Sequence, residues 1–149
     1  MKLAIIGYGN VGRALARLVR KQRHDYPFRI TGIHTLRHGT AADSGGLPIE
    51  PEFGPPAPNI EAFFEAARAD AAIELTTLNP LSGEPAISYI RAAFARGLHV
   101  VTANKGPIAH CYARAVARGC SRRRASPVRI NGYGWRPGIQ PVAPQYAGS

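Results

Sequence analysis

The stretch Ala4–Arg17, AIIGYGNVGRALAR, decides the fold of this chain. A short apolar run ends at the glycine-rich segment Gly7–Gly12, and a helical pattern follows directly. This succession of strand, tight turn and helix predicts a dinucleotide-binding unit, because each glycine of a G-x-G-x-x-G pattern has its own role. The first permits a sharp turn, the second lets backbone approach a pyrophosphate, and the third lets the helix pack close to the strand. The helix start then presents free N–H groups and a positive dipole end to the phosphates.

The composition is that of one globular domain. The chain has 149 residues, of which 45% are hydrophobic, enough to build a sizeable core. No apolar run approaches a membrane span and no signal peptide precedes the first strand, so we expect a cytoplasmic protein without membrane contact. Cys111 and Cys120 have no partner residues at metal-site spacing, so neither a zinc site nor a disulfide framework is expected.

Beyond the glycines, strand and helix patterns alternate, which predicts a parallel sheet with helices on both faces, that is, a Rossmann-like α/β fold. The four predicted strands are Lys2–Ile6, Phe28–Ile33, Ala72–Leu75 and Leu98–Thr102.

The predicted helices have recognisable faces and ends. The first should bury Val11, Leu15, Leu18 and Val19. Asn59 should cap a helix over Ile60–Arg68, and Gly97 should end the helix whose apolar face begins at Ala86. Five prolines predict that Gly39–Asn59 is a long irregular excursion.

The end of the second strand carries a clue to the cofactor. An acidic residue at this position accepts the ribose 2′-hydroxyl of NAD, whereas basic groups receive the 2′-phosphate of NADP. The segment His34–His38 contains Arg37, and no carboxylate appears before Asp43. We therefore expect NADP, with NAD as the alternative, and Arg37 as the phosphate partner. An ordinary solvated loop is the competing interpretation of Arg37 and His38.

Two further loops follow predicted strands at the edge where parallel sheets bind ligands. Thr76–Gly83 follows the third strand, and Ala103–Pro107 follows the fourth. Lys105, in the second loop, could hold the nicotinamide ribose or orient a carbonyl substrate with its three N–H donors.

Three blocks together resemble the nucleotide-binding domain of homoserine dehydrogenase: Gly7–Arg13, Thr76–Ala86 and Gly97–Pro107. The resemblance covers residues 1 to about 112. It implies a cytoplasmic, usually homodimeric oxidoreductase that interconverts homoserine and aspartate semialdehyde with NAD(P), in the biosynthesis of threonine, methionine and isoleucine. By this resemblance the glycine segment would hold the pyrophosphate, Thr76 and Asn79 would line the adenosine and nicotinamide side, and Lys105 would contact the cofactor near the reacting carbon. The expected cofactor-binding residues are Gly7, Tyr8, Gly9, Asn10, Val11, Gly12, Arg37, Thr76, Asn79 and Lys105.

In the family, the aspartate and lysine that act on the homoserine hydroxyl, and the glutamate that helps bind the substrate, lie in a later domain. No residue of this chain matches them, so we predict no catalytic residue and expect the chain to be inactive. Residues 1–112 would form a partial Rossmann domain. Another NAD(P)-dependent oxidoreductase that shares only the nucleotide domain is the alternative.

Residues 113–149 have a different composition and are predicted to be an irregular tail. All nine acidic residues precede Ala113, whereas the tail holds seven arginines, which supply most of the net charge of +10. Reading its codons one base later, under one choice of synonymous codons, gives a translation that resembles the next segment of homoserine dehydrogenase, so a frameshift is our hypothesis. A nucleic-acid-binding module built on Arg122–Arg124, Tyr133 and Trp135 is the less favoured alternative.

Overall fold

A computed structural model gives the fold of residues 1–110, together with the backbone of residues 129–130 and 133–134. The first strand and the first helix adjoin the glycine segment, as the opening stretch predicts. The strands are β1 (Lys2–Ile6), β2 (Arg29–Thr35), β3 (Gly39–Ala42), β4 (Ala71–Glu74), β5 (His99–Thr102), β6 (Arg129–Ile130) and β7 (Tyr133–Gly134). The helices are α1 (Asn10–Lys21), α2 (Ile60–Ala67) and α3 (Ala86–Ala95), and residues 105–110 are also helical.

The strands lie in the order β3-β2-β1-β4-β5-β6-β7. The pairs β1–β2, β1–β4 and β4–β5 are all parallel, which confirms the predicted parallel core of the sheet. From β1 the chain first continues to β2 on one side of the sheet, and it later returns to form β4 on the other side of β1. The carboxyl ends of β1 and β4 therefore border the switch point, where sheets of this type bind ligands.

Two apolar clusters cover the two faces of the sheet. On one face, Ala4 and Ile6 of β1 pack with Phe63 and Phe64 of α2. On the other face, Ile5 packs in a cluster that includes Ala16 of α1. Side chains alternate between faces along a strand, so β1 is buried on both sides, as a central parallel strand requires.

The helix ends follow the sequence closely. The Asn59 side chain accepts a hydrogen bond from the Ala62 N–H at 2.7 Å and so caps α2, as predicted. Arg68 is the left-handed C-cap of α2, with φ +46°. Gly97 takes φ +73° after α3, the backbone conformation that favours glycine at a helix end.

The prediction for the buried face of α1 is wrong in part. Val11 and Leu18 are 61% and 50% exposed, and the buried positions are Gly12 and Ala16. The reason is the close approach of α1 to the preceding turn, because a Cβ at position 12 would lie 2.7 Å from the Gly7 carbonyl oxygen. Small residues therefore lie closest to the sheet, Leu15 and Val19 pack partly buried against the same core cluster as predicted, and Val11 and Leu18 are exposed.

The prediction that Gly39–Asn59 is irregular throughout is also wrong. Its first four residues form β3, which returns antiparallel along β2. The prolines that motivated the prediction begin only at Pro48, so they do not interrupt this hairpin. Gly39 makes the tight entry possible through φ +90°, and Thr40 forms an isolated bridge with Gly54 farther along the loop.

The predicted irregular tail, 113–149, lies mostly outside the described residues. Its described parts are β6 and β7, of which β6 pairs parallel with β5 and β7 pairs antiparallel with β6. The alternative that places nucleic-acid binding on Arg122–Arg124, Tyr133 and Trp135 depends on side chains that also lie outside the described residues.

Candidate cofactor-binding site

The glycine turn is built as the sequence predicts. Gly7 has φ +92°, and a Cβ there would lie 2.7 Å from the Leu75 carbonyl oxygen, so the turn packs directly against the chain after β4. Its N–H donates to the His34 carbonyl oxygen at 2.9 Å, which joins the turn to the end of β2. The turn is thus fixed on both sides by the neighbouring strands of the switch point.

Gly9 is the open position of the turn. A Cβ built on Gly9 has no heavy atom within 4 Å, in contrast to Gly7 and Gly12. Gly9 is also the N-cap of α1, where no side chain caps the helix and the first turn carries no acidic residue. The N–H groups of Asn10, Val11 and Gly12 therefore form a helix start free of side-chain acceptors, which is the arrangement that binds phosphate groups.

A cavity of about 410 Å³ adjoins the glycine turn. It lies between the carboxyl ends of β1, β2 and β4, at the predicted ligand edge. Five of the predicted site residues line it, together with His34, His38, Leu75, Thr77 and Tyr89 among others. Those five predicted residues are Gly7, Tyr8, Gly9, Arg37 and Thr76.

Arg37 lies in the turn of the β2–β3 hairpin, between Thr35 and Gly39. The Thr35 hydroxyl accepts from the His38 N–H at 2.8 Å and donates to the Gly39 carbonyl oxygen at 3.2 Å, so the backbone of this turn is held in place. The Arg37 side chain itself is exposed and free to reach a ligand in the cavity. Asp43, the next acidic residue in the sequence, directly follows β3 and lies beside Thr31 of β2, away from the hairpin turn. Its N–H donates to the Thr31 carbonyl oxygen.

His34 lines the same cavity next to this hairpin turn. Its Nδ1 lies 2.9 Å from the Thr40 hydroxyl, and its ring packs against Phe63 and Tyr89 at centroid distances of 5.4 and 6.0 Å. Burial lowers the pKa of His34 below its ordinary value of 6.5. His34 is therefore a neutral, largely buried ring at neutral pH, and it was not among the predicted site residues.

Tyr8 connects the glycine turn to the long loop after β3. Its hydroxyl donates to the Ile49 carbonyl oxygen at 2.6 Å, and its ring packs against Phe53 at a centroid distance of 6.1 Å. Burial raises the pKa of the Tyr8 hydroxyl, and the nearby Arg13 and Arg17 oppose that effect. Tyr8 thus lines the cavity and also anchors the loop that follows β3.

The second group of predicted residues lies at the ends of β4 and β5. Lys105 is exposed and is the first residue of the helical segment 105–110. The Asn79 side chain is used within its own loop, where Oδ1 accepts from the N–H groups of Leu81 and Ser82 at 3.1 and 3.3 Å. The Asn79 backbone lies next to Gly106, since a Cβ there would be 3.3 Å from the Asn79 carbonyl oxygen. The two loops therefore meet, although Asn79 and Lys105 do not line the 410 Å³ cavity.

A network of polar side chains that was not predicted as a site joins these loops. Its centre is Glu74, the last residue of β4, which is fully buried. Its carboxylate accepts from the Thr76 N–H at 2.8 Å and from the hydroxyls of Thr76 and Thr102. The only sequence signal was an acidic residue within the apolar run Ala71–Leu75.

A larger cavity, of about 710 Å³, lies elsewhere, between the last turn of α1 and the start of β2. Arg20, Arg23, His24 and Arg29 are among the residues that line it. It adjoins the C-terminal end of α1, where the helix dipole is negative and the unpaired backbone groups of the helix are carbonyl oxygens, which do not attract phosphates. The smaller cavity at the switch point is therefore the better cofactor site.

The described residues contain no group of three or more His, Cys, Asp or Glu side chains that could hold a metal ion. No helix among them is long and apolar enough to cross a membrane.

The fold and the glycine turn define the class of this protein: an α/β protein with a Rossmann-like, mostly parallel sheet. The chain is 39% identical over 128 residues to the NAD(+)-dependent homoserine dehydrogenase of Pseudomonas canavaninivorans, which covers 72% of this chain and 36% of the relative. It is 32% identical over 133 residues to the homoserine dehydrogenase of Methanocaldococcus jannaschii, which covers 75% of this chain and 39% of the relative. The matched part of the chain therefore belongs to the homoserine dehydrogenase family. No family model matches the chain.

Solved structures show the same fold. The homoserine dehydrogenase of Thermoplasma acidophilum superposes with a TM-score of 0.63 at 21% identity, covering 89% of this chain and 43% of that one. A hyperthermophilic archaeal homoserine dehydrogenase mutant in complex with NADPH superposes with a TM-score of 0.57 at 23% identity. This match covers 76% of this chain and 38% of that one. The chain spans between 36% and 43% of the length of the relatives and structures named here.

Proposed function

We propose that the cleft between β1 and β4 binds NAD(P), and that this cleft is the cofactor half of a homoserine dehydrogenase. The observation that carries the proposal is the glycine turn at the switch point, with Gly9 open and the start of α1 free of side-chain caps. A neighbouring structure in complex with NADPH and a relative named NAD(+)-dependent support the choice of ligand.

The residues fit such a cofactor in order along the cleft. The backbone of Gly7–Gly12 would hold the pyrophosphate, Thr76 would face the dinucleotide, and the adjoining loops of Asn79 and Lys105 would lie toward the nicotinamide. When bound, the cofactor supplies the hydride acceptor or donor for the interconversion of homoserine and aspartate semialdehyde. The exposed Lys105 ammonium can donate to an oxygen of the cofactor or of the substrate. For the intact protein we keep the family's homodimer and its role in threonine, methionine and isoleucine biosynthesis as part of the proposal.

Within the cofactor pair, we propose NADP over NAD. Arg37 and His38 occupy the hairpin turn beside the cavity, and Asp43 lies back along β2 rather than at its tip. A guanidinium can bind two oxygens of a 2′-phosphate at once. The NAD(+)-dependent relative makes NAD the competing choice.

Titration of both cofactors into the protein and into Arg37→Ala tests this preference. Loss of one charge-assisted pair should weaken NADPH binding by about tenfold or more and leave NADH binding nearly unchanged. Arg91→Ala, which removes an exposed arginine of α3, is the matched control and should bind both cofactors as the parent does. Equal affinities for the two cofactors, with no loss in Arg37→Ala, would contradict the preference.

We propose further that these 149 residues bind the cofactor without oxidising homoserine. Cofactor binding alone does not accelerate the reaction, which needs groups that act on the substrate hydroxyl in the transition state. The assay compares this chain with a version in which one base is deleted between the codons of Tyr112 and Ala113 and the downstream frame is restored. Turnover of homoserine and NADP only in the restored version is the expected result. Turnover by the unrestored chain would overturn the proposal.

A further inference from the structure

Glu74 is a buried acid for which the proposed cofactor contacts give no role. It is the last residue of β4, two residues before Thr76, and its side chain is 0% exposed. Burial of a carboxylate is costly unless hydrogen bonds compensate it. Here three donors converge on it: the Thr76 N–H, the Thr76 hydroxyl and the Thr102 hydroxyl. A site that provides only donors suits the ionised carboxylate, which can only accept.

The same carboxylate is linked to the start of the helix at Lys105. The Thr102 hydroxyl, which donates to Glu74, accepts from the Asn104 N–H at 3.0 Å. The Asn104 side chain accepts from the Gly106 N–H at 3.0 Å and thus caps the helical segment whose first residue is Lys105. The chain of contacts from Glu74 to the backbone of Gly106, the residue after Lys105, therefore passes only through buried residues.

A cross-link closes the network. The Asn104 side-chain amide donates to the Thr76 carbonyl oxygen at 3.5 Å. The Thr76 loop and the Lys105 loop are consequently held against each other by one buried cluster of Glu74, Thr76, Thr102 and Asn104. No buried side-chain N or O atom among the described residues lacks a hydrogen-bond partner, so this cluster is fully satisfied.

The charge of Glu74 is not neutralised by a described cation. Within residues 1–110, the one ion pair within 4.0 Å joins Arg96 to Glu65 and does not involve Glu74. Tyr89 lines the cavity, and burial, followed by the nearby Glu74 and Glu84, raises the pKa of its hydroxyl. The carboxylate of Glu74 thus lies buried beside the cleft, and the exposed Lys105 begins the helical segment that the same network caps.

We propose that Glu74 is a positioning residue for the nicotinamide end of the cleft. Its hydrogen bonds fix the Thr76 and Lys105 loops relative to each other, and its charge favours the oxidised cofactor. The second effect follows because the oxidised nicotinamide ring is cationic and the reduced ring is neutral. Lys105 alone would repel the oxidised ring, and Glu74 offsets that repulsion. The inference rests on the proposed binding of NAD(P) in this cleft.

The test measures dissociation constants for both redox forms, NADPH by fluorescence titration and NADP⁺ by competition against NADPH. In Glu74→Gln, the affinity for NADP⁺ should fall about tenfold more than that for NADPH, the size expected of unit charges roughly 10 Å apart at an effective dielectric constant near 20. Glu74→Asp keeps the charge, so the ratio of the two constants should stay near that of the parent. Glu61→Gln removes an exposed acid from α2 and is the control, with no expected change in the ratio.

A second pair of variants tests the positioning role separately. Thr102→Val removes the hydroxyl that joins Glu74 to Asn104, whereas Thr102→Ser retains it. Thr102→Val should weaken the binding of both redox forms, and Thr102→Ser should bind as the parent does. Thermal unfolding followed by circular dichroism shows which variants are folded. If Glu74→Gln does not fold, the Thr102 pair still decides whether the network positions the two loops.

The outcomes distinguish the inference from the function on which it rests. Absence of saturable binding of either form by the parent chain would refute the proposed function itself. Binding by the parent with an unchanged ratio in Glu74→Gln would refute the role of the charge. Parent-like affinity in Thr102→Val would refute the coupling of the two loops.

Discussion

Alanine at Gly9 and alanine at Gly12 should have opposite consequences, although the two glycines belong to one turn. A Cβ at position 12 would lie 2.7 Å from the Gly7 carbonyl oxygen and 3.2 Å from the Tyr8 ring. The first of these atoms is backbone, so α1 must move away from the turn to admit the methyl group. A Cβ at position 9 has no neighbour within 4 Å, and the φ of Gly9, −81°, is accessible to alanine.

The magnitudes follow from these contacts. Overpacking of this kind costs about 1–3 kcal/mol, so Gly12→Ala should lower the free energy of unfolding by that amount. For Gly9→Ala, the loss of a preferred N-cap residue costs a few tenths to about 1 kcal/mol, and the reduced freedom of the unfolded chain recovers a similar amount. The net change in stability should be within about 0.5 kcal/mol. The alanine methyl group at position 9, however, would occupy the place where the backbone approaches the pyrophosphate. The NADPH affinity of Gly9→Ala should therefore fall about tenfold or more, which corresponds to a loss of about 1.4 kcal/mol in binding free energy.

Urea unfolding followed by circular dichroism gives the stabilities, and fluorescence titration with NADPH gives the affinities. The reasoning predicts a stable Gly9→Ala variant that binds poorly and a Gly12→Ala variant that is destabilised. Parent-like NADPH binding by Gly9→Ala would refute the placement of the pyrophosphate. Parent-like stability of Gly12→Ala would refute the close packing of α1 on the turn.

Other expectations concern stability. Asn59→Ala removes the cap of α2 and should lower the free energy of unfolding by about 1 kcal/mol in urea titrations, whereas Asn59→Ser should retain most of it. Phe63→Ala empties a fully buried position and should cost about 3–5 kcal/mol by the same measurement; a loss below about 1 kcal/mol would contradict the packing. Burial lowers the pKa of His34 below its value of about 6.5 in the unfolded chain. As the pH falls, the unfolded state therefore binds a proton at His34 before the folded state does, and the free energy of unfolding should decrease below about pH 6.5. His34→Gln should flatten that decline, and exposed His24→Gln should not; identical pH profiles for the two variants would count against the assignment.

Most of the fold could be predicted because local patterns and tertiary packing agree. The glycine turn, the Asn59 cap and the Gly97 helix end each have a local physical cause that is legible in the sequence, and the structure contains all three. The parallel pairing of β1, β2, β4 and β5 follows from their alternation with helices. Strand ends differ from the predicted ones by one or two residues, as hydrogen-bonding limits are not encoded by apolar runs alone.

What could not be predicted depends on contacts between distant segments. The β2–β3 hairpin was missed because the four residues of Gly39–Ala42 are small and carry no strong strand pattern, and their pairing partner determines their conformation. The orientation of α1 depends on how closely Gly12 lets it approach the turn. The role of Glu74 could not be predicted because it depends on a hydrogen bond from the Thr102 hydroxyl, and Thr102 lies 28 residues farther along the chain.

Residue-resolved amide NMR during an NADPH titration tests the central claim most directly. We predict saturable shifts that are largest in the backbone of Gly7–Gly12, with further shifts at Thr76 and in the β2–β3 hairpin turn. The basic cavity lined by Arg20 and Arg29 provides the internal comparison, because a ligand drawn only by positive charge would perturb it instead. Shifts confined to that cavity, or no saturable shift at the glycine turn, would contradict the account.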